Sequence, residues 1–453
     1  MDVERTLKRI KNRESHIVVL GTGYVGLTTA VLFANTNFNV TAVDVKQNIV
    51  EAINRGLCPT KESGLDNLLK LNVNAGRLKA TLNASEALQK AEVIIICVQT
   101  PIDRNKRAKL SILTNAIDTV GRNLKEGTIV ILSSTVPPRT TREIIRPKLE
   151  SLSKLKAEHD FYLAYVPERI APGNAIKEFI DSPRLVGGVG PNSLKVAAEL
   201  YRTVCKNVIE TDAPTAEVAK LAENTFRDVN IAFANELALL CEKLGVDVSN
   251  VIKLANTHPR VNIHQPGPGV GGPCIPKDPY LLVYQSKDLE FNSRIILASR
   301  HLNEYMPLHI VELLTKSLVN TGRDVKKSRI CILGTAYKGG VADSRLSPSK
   351  EVIRRLIKLG TEVTVYDPYC EETFGAKKAQ DLQAAVKGTD CIVIMTDHPE
   401  FKKIDLLKVK KLMNKKPIIV DGRRIIDPNE AEKNNFIYAG VGYGKRGNFS
   451  KWS

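Results

Sequence analysis

At 453 residues the chain is too long for a single hydrophobic core, and a content of 43% hydrophobic and 25% charged residues without low-complexity tracts excludes a disordered or fibrous protein. Its longest uncharged apolar runs, such as Val93–Val98, fall far short of the roughly 20 residues a bilayer requires. The formal charge of +17 calls for an anionic partner or a solvated surface, but without basic and aromatic residues interleaved it does not point to nucleic acid.

The stretch Met1–Ser15 is charged and lacks an apolar signal core, so a cytoplasmic enzyme is expected. His16–Leu20 reads as a short strand, Gly21-Thr22-Gly23-Tyr24-Val25-Gly26 as a glycine-rich turn, and Val25–Asn35 as a helix. A second strand, Val40–Val45, carries Asp44 eighteen residues beyond Gly26, where dinucleotide folds place an acid on the adenosine ribose. That carboxylate repels a 2′-phosphate and favours NAD over NADP. Further strands at Val93–Val98, Thr128–Leu132 and Phe161–Tyr165 extend a doubly wound parallel sheet.

From Thr215 to Leu244, apolar residues recur at helical spacing with no Pro or Gly until Gly245, which predicts one long helix. Its wide apolar face suits a subunit interface, hence a homodimer. Near Ser328 the strand and helix cycle restarts. Arg329–Leu333 followed by Gly334 matches the opening strand and turn, Val363–Asp367 matches Val40–Asp44, Asp390–Thr396 matches Glu92–Val98, and Pro417–Asp421 resembles the fourth strand. The fold class is therefore α/β, with two Rossmann-like doubly wound domains joined by a long central helix. The expected domains are 1–212, 213–315 and 316–453. The second fingerprint is degraded at Ala336 and Lys338, so it holds a different nucleotide-like ligand or none. The basic run Lys402–Lys416 is interleaved with apolar residues, as on the wet side of an amphipathic helix.

The eight cysteines show neither CxxC pairs nor short-spaced histidines, so no disulfide framework and no metal site is expected. Cys97, Cys331 and Cys391 lie in apolar strands and read as packing residues. Cys274 differs. It sits in a run from Gln265 to Asp278 too rich in Gly and Pro for helix or strand, with Lys277 and Asp278 just downstream. Three other groups carry candidate chemistry: Lys220 and Asn224, one helical turn apart; Ser133–Pro138, including Thr135, at a strand's carboxyl edge; and Pro167-Glu168-Arg169, at the next.

The blocks GTGYVGL, STVPP, PER, KLAENTFRDVNIAFANE, GVGGPCIPKDP and LGTAYKGGVADSRLSPS together resemble, in order and over almost the whole chain, the UDP-sugar 6-dehydrogenases. The resemblance implies oxidation of a UDP-hexose at carbon six to the uronate with reduction of two NAD, for polysaccharide biosynthesis. It implies a catalytic set of Cys274 as nucleophile with Lys220, Asn224, Asp278, Glu168 and Thr135. Cofactor binding falls to Gly21, Gly23, Tyr24, Val25, Gly26, Asp44, Thr100 and Thr135. Substrate binding falls to Arg169, Lys220, Asn224, His264, Gly271, Lys338 and Arg345, with Arg260 resembling a family arginine that reaches a neighbouring subunit's sugar. The stretch from His258 to Gly272 and the PER block resemble the N-acetylhexosamine branch, which implies UDP-N-acetylmannosamine or UDP-N-acetylglucosamine. Pro276-Lys277-Asp278 resembles the UDP-glucose branch, which is the alternative. Neither a specific nucleic-acid partner nor membrane insertion is expected. A two-electron 2-hydroxyacid-type dehydrogenase would leave Cys274 and the second Rossmann half without a use, and a basic scaffold would leave the glycine set and Asp44 without one.

Overall fold

The computed structural model describes residues 1–60, 62–171, 173–285 and 289–444. They form two compact units, one of Met1–Glu223 with Tyr280–Phe291, the other of Asn224–Pro279 with the chain from Asn292 onward. Among the described residues, the first unit carries an eight-stranded sheet built from β1 (His16–Leu20), β2 (Asn39–Val43), β3 (Leu78–Thr81), β4 (Val93–Ile96), β5 (Ile129–Leu132), β6 (Tyr162–Tyr165), β7 (Arg184–Gly188) and β8 (Val208–Asp212). The spatial order is β3-β2-β1-β4-β5-β6-β7-β8. The Val and Ile runs of β4 and β5 are buried throughout, as expected of strands covered on both faces.

The sheet is parallel from β3 to β6, as expected of the strands read from the sequence, and β7, a strand the sequence did not mark, runs antiparallel to β6. The reversed strand ends in two glycines that its neighbours require. A Cβ at Gly187 would lie 2.7 Å from the Asp212 carbonyl oxygen and 2.8 Å from Ala213 Cα, where the chain leaves β8 for the long helix. β3, β7 and β8 lack the apolar run that marks the central strands. Edge strand β8, Val-Ile-Glu-Thr-Asp, is largely exposed.

The second unit repeats the plan with β9 (Arg329–Leu333), β10 (Glu362–Tyr366), β11 (Lys377–Lys378), β12 (Cys391–Ile394), β13 (Ile418–Asp421) and β14 (Ile437–Gly440), in the order β11-β10-β9-β12-β13-β14. Every pairing is parallel. Cys331 and Cys391 are buried in its core. Within the basic run, only Leu406–Leu412 is α-helical. It buries Leu406 and Val409 and is capped by Asp405.

The long helix spans Ala213–Leu244, 32 residues and about 48 Å, and the boundary between units falls inside it. Near its start Glu217 is fully buried, accepting hydrogen bonds from the Thr141 amide (2.8 Å) and hydroxyl (2.6 Å). Its other oxygen has no hydrogen-bond partner among the described residues. Burial outweighs the two hydrogen bonds and pushes the carboxyl from 4.5 up to about 7. The folded state thus holds a proton that the unfolded chain releases, so stability falls as pH rises through that window. Glu217→Gln mimics the protonated acid. Its melting temperature, measured against pH, should match wild type near pH 4 and exceed it increasingly up to pH 7. Parallel profiles would contradict this account of the buried acid.

Candidate active site

The turn after β1 is shaped by bare backbone. Gly21 has φ 88°, and a Cβ on Gly26 would stand 1.8 Å from the Gly21 carbonyl oxygen, so neither position accepts a side chain. Gly23 is different: its added Cβ would meet nothing within 4 Å among the described residues. It caps helix Tyr24–Asn35 with no side-chain hydrogen bond, leaving the first-turn amides available for a pyrophosphate. Val25 follows in that turn. Tyr24 donates through its hydroxyl to Glu62 (2.5 Å), a nearly buried carboxylate that also accepts from the Gly173 and Ala175 amides, both at 2.8 Å.

Asp44 lies just past β2. One carboxylate oxygen accepts from the Thr22 amide (2.9 Å) and hydroxyl (2.8 Å), the other from the Lys46 amide (3.0 Å). Partial burial works against ionisation, but these hydrogen bonds outweigh it and hold the acid below the usual carboxylate range. It is therefore an anionic acceptor with lone pairs remaining for ribose hydroxyls. An open Gly23, uncapped amides and an ionised Asp44 fit a dinucleotide with an unphosphorylated adenosine ribose.

Beyond β5, the hydroxyl of Ser134 donates to the Val98 carbonyl (2.7 Å) and that of Thr100 to the Thr135 carbonyl (2.5 Å), locking the Ser133–Thr135 turn to the end of β4. Beyond β6, Glu168 accepts from Arg184 Nη1 (2.7 Å) and the Arg169 amide (2.8 Å). Arg184 is 2% exposed, with its guanidinium 4.2 Å over the Phe179 ring. The Arg169 guanidinium is engaged by Glu223 (2.7 Å) and by the Pro183 carbonyl (2.6 Å). Arg184 escaped sequence reading because it lies sixteen residues from Glu168, inside a strand without a motif.

In the second unit, the cysteine loop lies flat on its neighbours because it is glycine-rich. Gly267 donates to Asn235 (2.8 Å) and Gly272 to the Arg345 carbonyl (2.9 Å). Gly269 and Gly272 have φ of 118° and 93°, and a Cβ on Gly271 would stand 2.7 Å from the Tyr337 Cβ. Cys274 then emerges exposed. Its carbonyl accepts from the Lys277 and Asp278 amides, each at 2.9 Å, forming the turn that carries Asp278.

The Asp278 side chain is buried and accepts from Asn224 Nδ2 at 2.6 Å. Its second oxygen has no hydrogen-bond partner among the described residues and lies 3.6 Å from Lys277 Nζ. Lys220 is half-buried one turn earlier on the same helix. Arg345 pairs with Asp343 (Nη2 to Oδ2, 2.6 Å), which raises its pKa, and the charge of Cys274 contributes to the same shift. The thiol therefore has a cation within electrostatic reach. Lys338 is exposed on the same loop as Arg345.

Arg260 is exposed, and His264 is held through its amide by Asn230 (2.8 Å). Burial, then Arg227, lowers the His264 pKa.

A buried network missed in the sequence braces this region. Asp228 accepts from Arg300 (2.6 Å) and Asn303 (2.9 Å), and Asn303 in turn accepts from Asn235 (2.9 Å), the residue that receives the Gly267 amide. The signal was present, since Asp228 and Asn235 are polar residues at helical spacing, but their partners lie 68 to 75 residues away.

Three family models of the UDP-glucose/GDP-mannose dehydrogenases match in order: the NAD binding domain at residues 15–205, the central domain at 214–305 and the UDP binding domain at 331–428. The chain belongs to this family. A UDP-N-acetyl-D-mannosamine dehydrogenase from Pyrococcus horikoshii is 44% identical over 432 residues, covering 94% of this chain and 99% of the relative. The solved structure of a P. horikoshii UDP-D-ManNAc dehydrogenase has a TM-score of 0.89 at 42% identity, covering 95% of this chain and all of the other. A UDP-glucose dehydrogenase structure from Pyrobaculum islandicum scores 0.85 at 29% identity, covering 95% and 98%.

The protein is thus an NAD-dependent nucleotide-sugar dehydrogenase, as the sequence resemblance implied. The two glycines of its NAD turn separate binding from folding. Because Gly23 has a negative φ and open surroundings, Gly23→Ala should melt like wild type yet lose at least about tenfold in NAD affinity by calorimetry. Gly26→Ala should lose both stability and NAD binding.

Proposed function

We propose that the enzyme is a UDP-N-acetyl-D-mannosamine 6-dehydrogenase that acts as a homodimer in the cytoplasm and supplies a uronate for polysaccharide biosynthesis. The observation that carries the chemistry is the exposed Cys274 on a loop whose following turn holds a buried Asp278 bonded to Asn224. The sugar is argued from relatives of that printed name, from P. horikoshii at 44% identity to Campylobacter jejuni at 37%. UDP-glucose is the less favoured substrate.

Bound NAD supplies the hydride acceptor for two successive oxidations at carbon six. The first turns the alcohol into an aldehyde, with its proton passing through water to Asp278 or to Lys220. The Cys274 thiolate, within electrostatic reach of the Arg345 cation, adds to the aldehyde carbon and forms a thiohemiacetal. Loss of a second hydride from that carbon leaves a thioester. Water oriented by Asp278 adds to the acyl carbon, the carbon–sulfur bond breaks, and the carboxylate leaves with the thiol restored. Lys220 and the remaining amide hydrogen of Asn224 stabilise the oxyanions formed on the way.

In this reading the UDP pyrophosphate meets Lys338 and Arg345, while His264 and Gly271 line the path of the sugar. The long helix displays Phe226, Phe233 and Leu240 at seven-residue spacing, each more than half exposed, with Leu244 following. An apolar seam of that length favours a second copy as its cover, which would let Arg260 reach the neighbouring sugar.

With UDP-N-acetylmannosamine, purified enzyme should release two NADH per sugar. Cys274→Ala should form no uronate while binding the UDP-sugar with nearly wild-type affinity. A product ratio of one NADH, or full turnover by Cys274→Ala, would remove the thioester route. Phe233→Glu should shift the sedimentation coefficient from dimer to monomer, and an unchanged value would rule out the seam as the interface.

A further inference from the structure

The second unit repeats the first around its fingerprint, with one addition. In the first unit, Asp44 accepts from the Thr22 amide and, two residues on, from the Lys46 amide. In the second, Asp367 accepts from the Thr335 amide (2.7 Å) and, two residues on, from the Tyr369 amide (2.8 Å). It also takes the Ala336 and Cys370 amides, both at 2.9 Å. The addition is His398, whose Nε2 lies 3.1 Å from Asp367 Oδ2. Ile394 pairs with Leu333 as Ile96 pairs with Leu20, so His398 stands where the first unit has Thr100. Asp44 is half-buried, whereas His398 has no exposed surface.

The other ring nitrogen fixes the state of the imidazole. The Gly340 amide lies 3.1 Å from Nδ1, and a peptide N–H can only donate. Nδ1 therefore accepts, and the ring hydrogen sits on Nε2, donating to Asp367. The ring is stacked on Tyr369 at 4.8 Å and meets Phe401 edge-on at 5.2 Å, which fixes its plane. Gly340 belongs to the turn that carries Lys338. Its neighbour Gly339 donates to Asp397 (3.1 Å), and a Cβ there would lie 2.4 Å from the Asp397 carbonyl oxygen. Burial opposes ionisation of Asp367, but His398 and the amides hold its carboxyl far below the usual range, so the ring has a permanent anion to bond.

We infer that His398 is a positioning residue for phosphate binding in the UDP-binding unit. It closes the acid that a dinucleotide fold reserves for a ribose, and it holds Gly340 so that the Lys338 turn meets the pyrophosphate of the UDP-sugar in place of a second dinucleotide. This rests on the reading of Lys338 as a pyrophosphate ligand. The full-length enzyme, with Lys338→Ala, His398→Ala and His398→Gln, tests both by calorimetric titration with UDP and, separately, with NAD.

Lys338→Ala should weaken UDP alone. If it does not, the reading of the turn fails, and the inference with it. His398→Ala should weaken UDP about tenfold, the effect of two lost hydrogen bonds, with NAD affinity unchanged. Glutamine can donate to Asp367 and accept from Gly340, so His398→Gln should recover most of the UDP affinity, as should millimolar imidazole added to His398→Ala. Wild-type UDP affinity in His398→Ala, while Lys338→Ala is impaired, would overturn the inference alone. So would a loss that neither glutamine nor imidazole restores.

Discussion

The bond from Asn224 to Asp278 is the constraint on which the arrangement of the second unit depends. It joins the long helix to the turn formed on the Cys274 carbonyl, and so sets the thiol's height above that helix. Glycine contact completes the placement. Gly269, Gly271 and Gly272 pack closely against the Asn303 and Leu346 carbonyls and the Pro307, Pro348 and Tyr337 side chains, and Gly267 is held by Asn235, so the loop before Cys274 is fixed to its neighbours. The buried pairing of Asp228 with Arg300 then braces the same helix face. Ion pairs of this kind contribute little net stability, so its value lies in specifying one arrangement.

Much of the first unit was legible from residues alone because its signals are local. β1 and its turn, the helix after it and Asp44 lie within thirty residues and obey a fixed geometry. The second Rossmann half was legible because its strands repeat the first in apolar pattern. Cys274 was legible because packing offers no reason for a thiol in a Gly-Pro run, and it is indeed exposed. β1 lies within the bounds expected of it, whereas β2 and β4 end earlier than their apolar runs, since Val45 and Val98 continue the apolar pattern after ladder pairing has ended.

The unread parts share a cause: their partners are distant in sequence. β7 requires glycine at 187 because it passes beside Asp212 and Ala213, a constraint visible only once the sheet is built. Arg184 and Arg300 look like ordinary strand and helix residues until Glu168 and Asp228 are brought beside them. The long helix was read by its apolar spacing, but that spacing does not say which residues face inward. Small Ala234 and Ala238 pack into the core, while Phe226 and Phe233 face outward.

The cysteine loop and the Lys338 turn belong to one compact unit, joined where Gly272 bonds Arg345. On the proposed chemistry, a sugar linked through its carbon to sulfur and gripped at its uridine end is moored twice to the same piece of protein. Spent coenzyme can then leave and a fresh molecule arrive elsewhere in the chain without the half-oxidised aldehyde escaping into solvent.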